Sequence, residues 1–308
     1  GSLLGSHAAV HERAGLEPVA ASEELLQESP PPAGTGTANS SELEAFKEWR
    51  VANVRSQKQQ GFVAVFVRCP LGDLRPLQLR RLAAAARNFS GGIRTTIEQD
   101  VLLRWVPQAA LPELYGFLGP TDLATCCAEQ IMDITCCVGA ESCLSAITSP
   151  KAAAVAVAAI LSESLYREPA IRSLRIRISG CPHSCGHHHA ADIGLFGHAK
   201  RCHGRAVPHY AILLGGVPSG RIFGRRMINI PACRVGQAVE RVLKLYVNGR
   251  HGEEPFASFV ERIGIPALRP HLEDLTRIPP PEEGPEFYRD LDAEREFVVQ
   301  AREGECSA

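Results

Sequence analysis

The sequence has almost no net charge, no long apolar run and no secretory opening, and each absence closes a class of function. Its 33 basic and 34 acidic residues leave a formal net charge of -1. Neither a nucleic-acid backbone nor an anionic membrane surface attracts such a chain as a whole. The longest apolar run, residues 152–161, falls well short of the roughly 20 residues a membrane-spanning helix needs. No charged segment followed by an apolar core opens the chain. A balanced cysteine framework is missing too. Eleven is an odd number, and Cys126-Cys127 and Cys136-Cys137 are adjacent pairs. That set suits a metal protein in a reducing, cytoplasmic compartment better than a disulfide scaffold. The chain opens on Gly1-Ser2 rather than Met, which predicts a fragment.

What is present reads as two units between two tails. Residues 1–45 predict a disordered linker, with S-P-P-P-A-G-T-G-T at 29–37 and room for a short helix at 23–27. Residues 46–122 form the first unit. The apolar run G-F-V-A-V-F-V at 61–67 predicts a buried strand. Asp73 is placed to cap a following helix, with Leu79, Leu82, Ala83 and Ala86 on its buried face. Ile93, Thr95 and Ile97 alternate with Arg94, Thr96 and Glu98, as in a strand with one buried face. A further strand at 101–106 and a helix at 111–118 complete half of a ferredoxin-like arrangement. Residues 123–278 form the second unit. It holds an Ala-rich helix at 151–165 and a strand at 173–179, where Leu174, Ile176 and Ile178 alternate with Arg175 and Arg177. A strand at 210–214 and helices around 235–248 and 256–263 follow. Residues 279–308, rich in Pro and Glu, predict a surface tail. The fold class is α+β: a ferredoxin-like half-domain followed by an α/β domain with a mixed sheet.

Two short loops carry the chemistry. C-V-G-A-E-S-C runs from Cys137 to Cys143, and S-G-C-P-H-S-C-G-H-H-H carries Cys181 and Cys185. Four thiols suffice for one iron–sulfur cluster, since a cubane takes four thiolates. A zinc site or buried structural cysteines are the other readings of the spacing, although zinc knuckles more often use two to four intervening residues. Cys136 offers a second register, C-x6-C. His187-His188-His189 invites a zinc assignment, but neighbouring residues of an extended segment point to opposite faces. Arg94 and the pair Arg175 and Arg177 read equally as solvated strand faces.

C-x5-C, then S-G-C-P-x-S-C-G and A-D-I-G-L-F-G at 191–197, resembles the nitrite/sulfite reductase haemoprotein family. The resemblance runs from about residue 46 to 272 and includes P-L-G-D-L at 70–74. It implies a [4Fe-4S] cluster on Cys137, Cys143, Cys181 and Cys185, with Cys185 also bridging to a sirohaem iron, and it selects Cys137 over Cys136. Through Arg94-x-Thr96-x-x-Gln99 it implies sirohaem contacts from Arg94, Thr96 and Gln99, joined by Gln57 and Lys58. Arginine suits such a pocket because its planar fork pairs with carboxylates. Arg94, Arg175 and Arg177 are the implied cations for the substrate. Asp100 and His183 each stand where the family pattern has Asn.

The implied function is a six-electron reduction of nitrite to ammonia, or of sulfite to sulfide, with electrons from a ferredoxin or flavoprotein. The S-G-C-P-x-S-C-G loop resembles ferredoxin–nitrite reductases more than sulfite reductases. Family members are internally duplicated, and only the second repeat is found here. The alternative is therefore a half-enzyme acting as an electron-transfer or cofactor-carrying module, completed by a missing N-terminal repeat or by a second copy of the chain.

Overall fold

The computed structural model describes residues 42–161 and 163–299. The helix expected at 23–27, and the linker as far as residue 41, lie outside the described residues. The last residues assigned to the linker already belong to helix α1 (Glu42–Asn53). Its Trp49 is buried and packs against Phe46 and Tyr115, with ring centroids 6.0 and 5.2 Å away. Asn53, at its end, donates to the carbonyls of Phe66 (2.9 Å) and Thr125 (3.0 Å).

The first unit is a four-stranded antiparallel sheet: β1 (Val54–Ser56), β2 (Phe62–Val67), β3 (Gly92–Thr95) and β4 (Val101–Pro107), in the order β1-β2-β4-β3. Helices α2 (Pro76–Phe89) and α3 (Leu111–Leu118) complete it. The arrangement is the ferredoxin-like half-domain expected, with four local corrections. β2 is not buried throughout: Val63, Val65 and Val67 face the core, while Phe62, Ala64 and Phe66 are half-buried. β3 is an edge strand that ends at Thr95, so Ile93 is exposed at 42% and Ile97, in the turn that follows, at 63%, instead of forming a buried face. Asp73 does not cap α2. Gln78 Oε1 accepts the Arg75 N–H there (2.9 Å), and Asp73 instead receives Lys151 Nζ (2.7 Å). The buried face of α2 is Gln78, Leu82, Ala85 and Phe89, which leaves Leu79 exposed.

The second unit is a five-stranded mixed sheet: β5 (Thr135–Cys136), β6 (Ile176–Ser179), β7 (Ile193–Cys202), β8 (Arg205–Leu214) and β9 (Arg225–Pro231), ordered as numbered. β5, β6 and β7 are parallel, and β7, β8 and β9 are antiparallel. Parallel strands need a crossover, and α4 (Pro150–Ile160) lies in the connection from β5 to β6. It packs with α5 (Val235–Gly249) and α6 (Phe256–Ile263) over one core that also takes in Ile176, Ile178, Leu195, Tyr210 and Ile212. Because β6 lies inside this sheet, all four of its residues are buried, Arg177 included. The exposed-edge reading of Arg177 is therefore overturned by the topology. Among the described residues no helix is long and apolar enough to cross a membrane.

The segment after residue 278 is not a loose surface tail over its described length. A short turn at Pro285–Tyr288 buries Phe287 and Tyr288 against Val207 of β8. Tyr288 donates to the Pro279 carbonyl (2.8 Å), and Arg234 lies 5.2 Å from the centre of the Phe287 ring. Truncating a buried Phe to Ala costs about 3–5 kcal/mol. Phe287→Ala should lower unfolding stability by that order in a denaturant titration; a loss under about 1 kcal/mol would mean that the segment is not docked.

Candidate functional site: two cysteine loops clamped by a turn of the half-domain

The site begins at β5. Cys136, its last residue, pairs with Ile178 and is buried in the core. Burial pushes its thiol up to about 12. The next residue leaves the strand: Cys137 N donates to Ile178 O (3.1 Å), and its sulfur accepts the Gly180 N–H (3.2 Å). The strand therefore aims Cys136 into the core and Cys137 at the second cysteine loop.

Backbone contacts sew the two loops together. Cys143 N donates to Gly139 O (2.9 Å), closing the first loop, and Ile147 N and Thr148 N both donate to Gly180 O (2.9 and 3.1 Å). Gly180 immediately precedes Cys181. The second loop closes when Gly186 N donates to Ser179 Oγ (3.1 Å), which also meets His188 Nδ1 at 2.8 Å.

Glycine is required at these contacts. A Cβ on Gly180 would stand 2.7 Å from the Thr148 carbonyl oxygen, and one on Gly186 would stand 2.2 Å from that of Ile178. Gly194 and Gly197 of β7 meet His188 O and Thr148 Oγ1 at 1.9 Å by the same measure. These distances admit no side chain. The glycines of the two motifs are spacing elements that bring the sulfurs together.

The four thiols differ in access. Cys181 is buried, Cys137 and Cys143 are half-buried, and Cys185 is exposed. Burial raises the Cys181 thiol, and the neighbouring Cys137, Cys143 and Cys185 add to the rise while a backbone N–H from His183 opposes it. The four are thus electrostatic neighbours, with Cys185 on the open side. Among the described residues no three His, Cys, Asp or Glu side chains close in on a single-ion position. Four thiolates in a glycine-walled cradle fit the donor set of a [4Fe-4S] cubane. The three histidines do not converge: His188 is buried on Ser179, and His189 stacks on it at 4.2 Å and faces Phe223.

The half-domain holds this cradle from the side. β5 is an edge strand, and where a further strand would pair, the Gln99 amide takes both backbone groups of Cys136. Nε2 donates to Cys136 O (2.7 Å), and Cys136 N donates to Oε1 (3.2 Å). Glu98 pairs with Arg177 (2.9 Å) inside the protein, where Arg177 also donates to Ala190 O (2.7 Å). Asp100 Oδ1 accepts the Cys69 N–H (2.8 Å), and Arg68 reaches Asp133 (3.3 Å) and the Met132 carbonyl. On the other flank, Asp290 and Asp292 accept from the backbone N–H and the hydroxyl of Ser149 (2.8 and 3.1 Å), the residue before α4.

These placements reassign several residues. The Gln99 amide and the Arg177 guanidinium are engaged inside the protein. Gln57 is engaged as well, accepting the Trp105 N–H (2.8 Å) and donating to Gln59 (3.1 Å). Thr96 Oγ1 accepts the Asp100 N–H (3.1 Å). Arg94 and Lys58 are exposed, and Arg175 is half-buried beside Asp192, which accepts its backbone N–H. Glu98, Asp290 and Asp292 escaped the sequence reading. Glu98 sits inside a recognised motif, whereas the partner of Asp290 lies 141 residues away.

The fold and the donor set together suit an iron–sulfur protein built from a ferredoxin-like half-domain and a cluster domain. Comparison with known proteins places it further. Residues 55–119 match the family model described as "Nitrite/Sulfite reductase ferredoxin-like half domain", and residues 127–278 match the "Nitrite and sulphite reductase 4Fe-4S domain". The chain belongs to the nitrite/sulfite reductase family.

A ferredoxin–nitrite reductase of Synechococcus elongatus is 35% identical over 176 residues, covering 57% of this chain and 34% of that protein. A sulfite reductase [NADPH] hemoprotein beta-component of Pectobacterium carotovorum is 28% identical, covering 60% and 32%. The solved Mycobacterium tuberculosis NirA protein superposes with a TM-score of 0.62 at 26% identity, over 71% of this chain and 41% of that one. The chain spans about a third of the length of these curated relatives.

Two measurements check the site. Cys137→Ser should lose the bound iron, whereas Cys136→Ser should keep it and cost only core stability; the reverse result would assign the site to the other register. The second concerns the buried carboxyl of Asp100, raised to about 8 by burial first and then by the nearby Asp133, against the Cys69 N–H and Arg68. A carboxyl with a raised folded-state pKa holds more protons folded than unfolded. Its contribution therefore falls as pH rises from the ordinary carboxylate range towards 8. Asp100→Asn should flatten the fall in stability across that window, and an unchanged slope would place the charge elsewhere.

Proposed function

We propose that this chain forms the cluster-bearing part of a sirohaem-dependent nitrite reductase, with Cys137, Cys143, Cys181 and Cys185 as the cluster ligands. The observation that carries the reading is the pair of loops gathered through Gly180, with Cys185 on the open side. The S-G-C-P-x-S-C-G loop and the relatives named ferredoxin–nitrite reductases favour nitrite over sulfite and a ferredoxin as electron donor. When bound, the cluster and sirohaem supply one-electron transfer and an open iron site for the oxyanion.

The residues that would hold the sirohaem are Cys185, through its thiolate, and Arg94, Lys58 and Thr96 from the half-domain. Exposed Arg94 and Lys58 offer cations to a carboxylate-rich macrocycle. Charge-assisted hydrogen bonds of that kind contribute roughly 1.5–3 kcal/mol each. Arg175 remains the candidate cation of the cluster domain towards substrate, since pre-placed positive charge lowers the cost of charge building on the reacting oxygens. Arg177 contributes indirectly: by holding Glu98 it fixes the turn that carries Gln99.

One half-domain covers only part of a flat macrocycle, so a complete substrate wall calls for a further repeat or a second copy. The chain alone is then a competent cofactor carrier and a slow reductase. Anaerobically reconstituted protein should hold about four iron and four sulfide per chain and show sirohaem absorption. Arg94→Ala should lower sirohaem occupancy while the cluster stays. Stoichiometric zinc without sulfide, or unchanged sirohaem occupancy in that variant, would count against the assignment. With reduced methyl viologen, a monomer verified by light scattering should reduce nitrite well below the rate of a duplicated enzyme; full turnover would contradict this division of the site.

A further inference from the structure

Cys126 and Cys127 stand apart from the cluster ligands, on the segment that joins the half-domain to the cluster domain. Their sulfurs are 2.6 Å apart, and Cys127 Sγ also lies 2.7 Å from the Tyr166 hydroxyl. Tyr166 donates to Gln130 Oε1 (2.7 Å), whose own N–H donates to the Cys127 carbonyl (3.1 Å). Cys127 is held at φ +80°, in the left-handed region that few non-glycine residues enter, and Glu129 follows at φ +56°. Strain of this kind persists only where the surroundings impose it. Here they do: Asn53 grips the Thr125 carbonyl on one side, and Arg55 (3.2 Å) and Asp133 (2.8 Å) hold Glu129 on the other. The two thiols also differ in access. Cys126 is half-exposed and Cys127 is buried.

We propose that Cys126 and Cys127 are a vicinal dithiol that exchanges with small-molecule disulfides and closes reversibly into a ring. Cys126 is the attacking group and Cys127 the resolving one. The Cys126 thiolate attacks one sulfur of an external disulfide, forms a mixed disulfide and expels a small thiolate. Cys127 then gives up its proton to that thiolate, and its sulfur attacks Cys126. The ring bond forms and the second small thiolate leaves. Two protein sulfurs are oxidised, and the external disulfide is reduced to one thiol and one thiolate.

The local contacts suit these roles. The close contact with Cys127 brings Cys126 down to about 6, and the same contact with burial pushes Cys127 up. Closure is reversible for a geometric reason. Adjacent Cα atoms lie about 3.8 Å apart, below the roughly 4.4–6.8 Å of relaxed disulfides. A bond forced below that range is strained and readily reduced, the behaviour of a labile disulfide and not of a structural staple.

The test treats the full, cluster-loaded chain with oxidised glutathione, blocks the remaining thiols with N-ethylmaleimide and maps the peptides by mass. The expected result is a Cys126-Cys127 peptide two hydrogens lighter and unblocked at both positions, restored by dithiothreitol. Cys127→Ser should stop at the glutathione adduct on Cys126, and Cys126→Ser should give neither adduct nor ring. Full blocking of both cysteines in the parent chain, or an adduct that stays on Cys126 there, would overturn the proposal.

Discussion

The structure depends on one short contact: the side-chain amide of Gln99 pairing with both backbone groups of Cys136. β5 is two residues long and lies at the edge of its sheet, so on its own it would leave a donor and an acceptor unpaired. Each such buried group costs about 1–3 kcal/mol. Gln99 stands in for the absent strand and so fixes the exit of the chain from β5, where Cys137 begins. The neighbouring Glu98–Arg177 pair adds an ion pair whose disruption, in a buried setting, costs about 3–5 kcal/mol. Two adjacent side chains of the half-domain thereby set the direction of the first cysteine loop.

From that anchor the cradle is assembled largely by backbone groups, with the Ser179 hydroxyl closing the second loop. Gly180 receives two N–H groups from the first loop and gives its own N–H to the Cys137 sulfur. Gly186, Gly194 and Gly197 let the second loop and β7 approach within distances that exclude a Cβ. Such close packing leaves little room for the sulfurs to drift, which is the pre-organisation a multi-ligand cluster site needs. The segment around Asp290 and Asp292 braces the same region from the start of α4. It lies beyond the residues matched by the family's cluster domain.

Much of this was legible in the sequence, for identifiable reasons. The strands and helices of both units follow from apolar periodicity, and the cysteine loops stand out because their spacing and glycines are dense. The misses share a cause. β3 alternates as a half-buried strand should, but its position at the sheet edge, which local periodicity does not encode, exposes Ile93, and the strand ends before Ile97, which lies in an exposed turn. Arg177 reads as a solvated residue until the topology places β6 inside the sheet, where Glu98 neutralises it. The Gln99 amide pairs with the backbone of Cys136 and Gln57 accepts the Trp105 N–H, partners distant in sequence that local pattern does not encode. The Pro- and Glu-rich composition after residue 278 suggests a loose tail, and two aromatic residues outweigh it by docking on β8.

The account stands or falls on whether the Thr96–Asp100 turn positions a four-iron site. The most direct measurement is the Mössbauer spectrum of 57Fe-reconstituted protein, set beside that of Gln99→Ala in which circular dichroism confirms an intact fold. The account predicts a single four-iron cluster in the parent chain and a depleted, heterogeneous iron spectrum in the variant. Isolated ferric or ferrous ions in the parent, or identical cluster spectra in the two proteins, would contradict it.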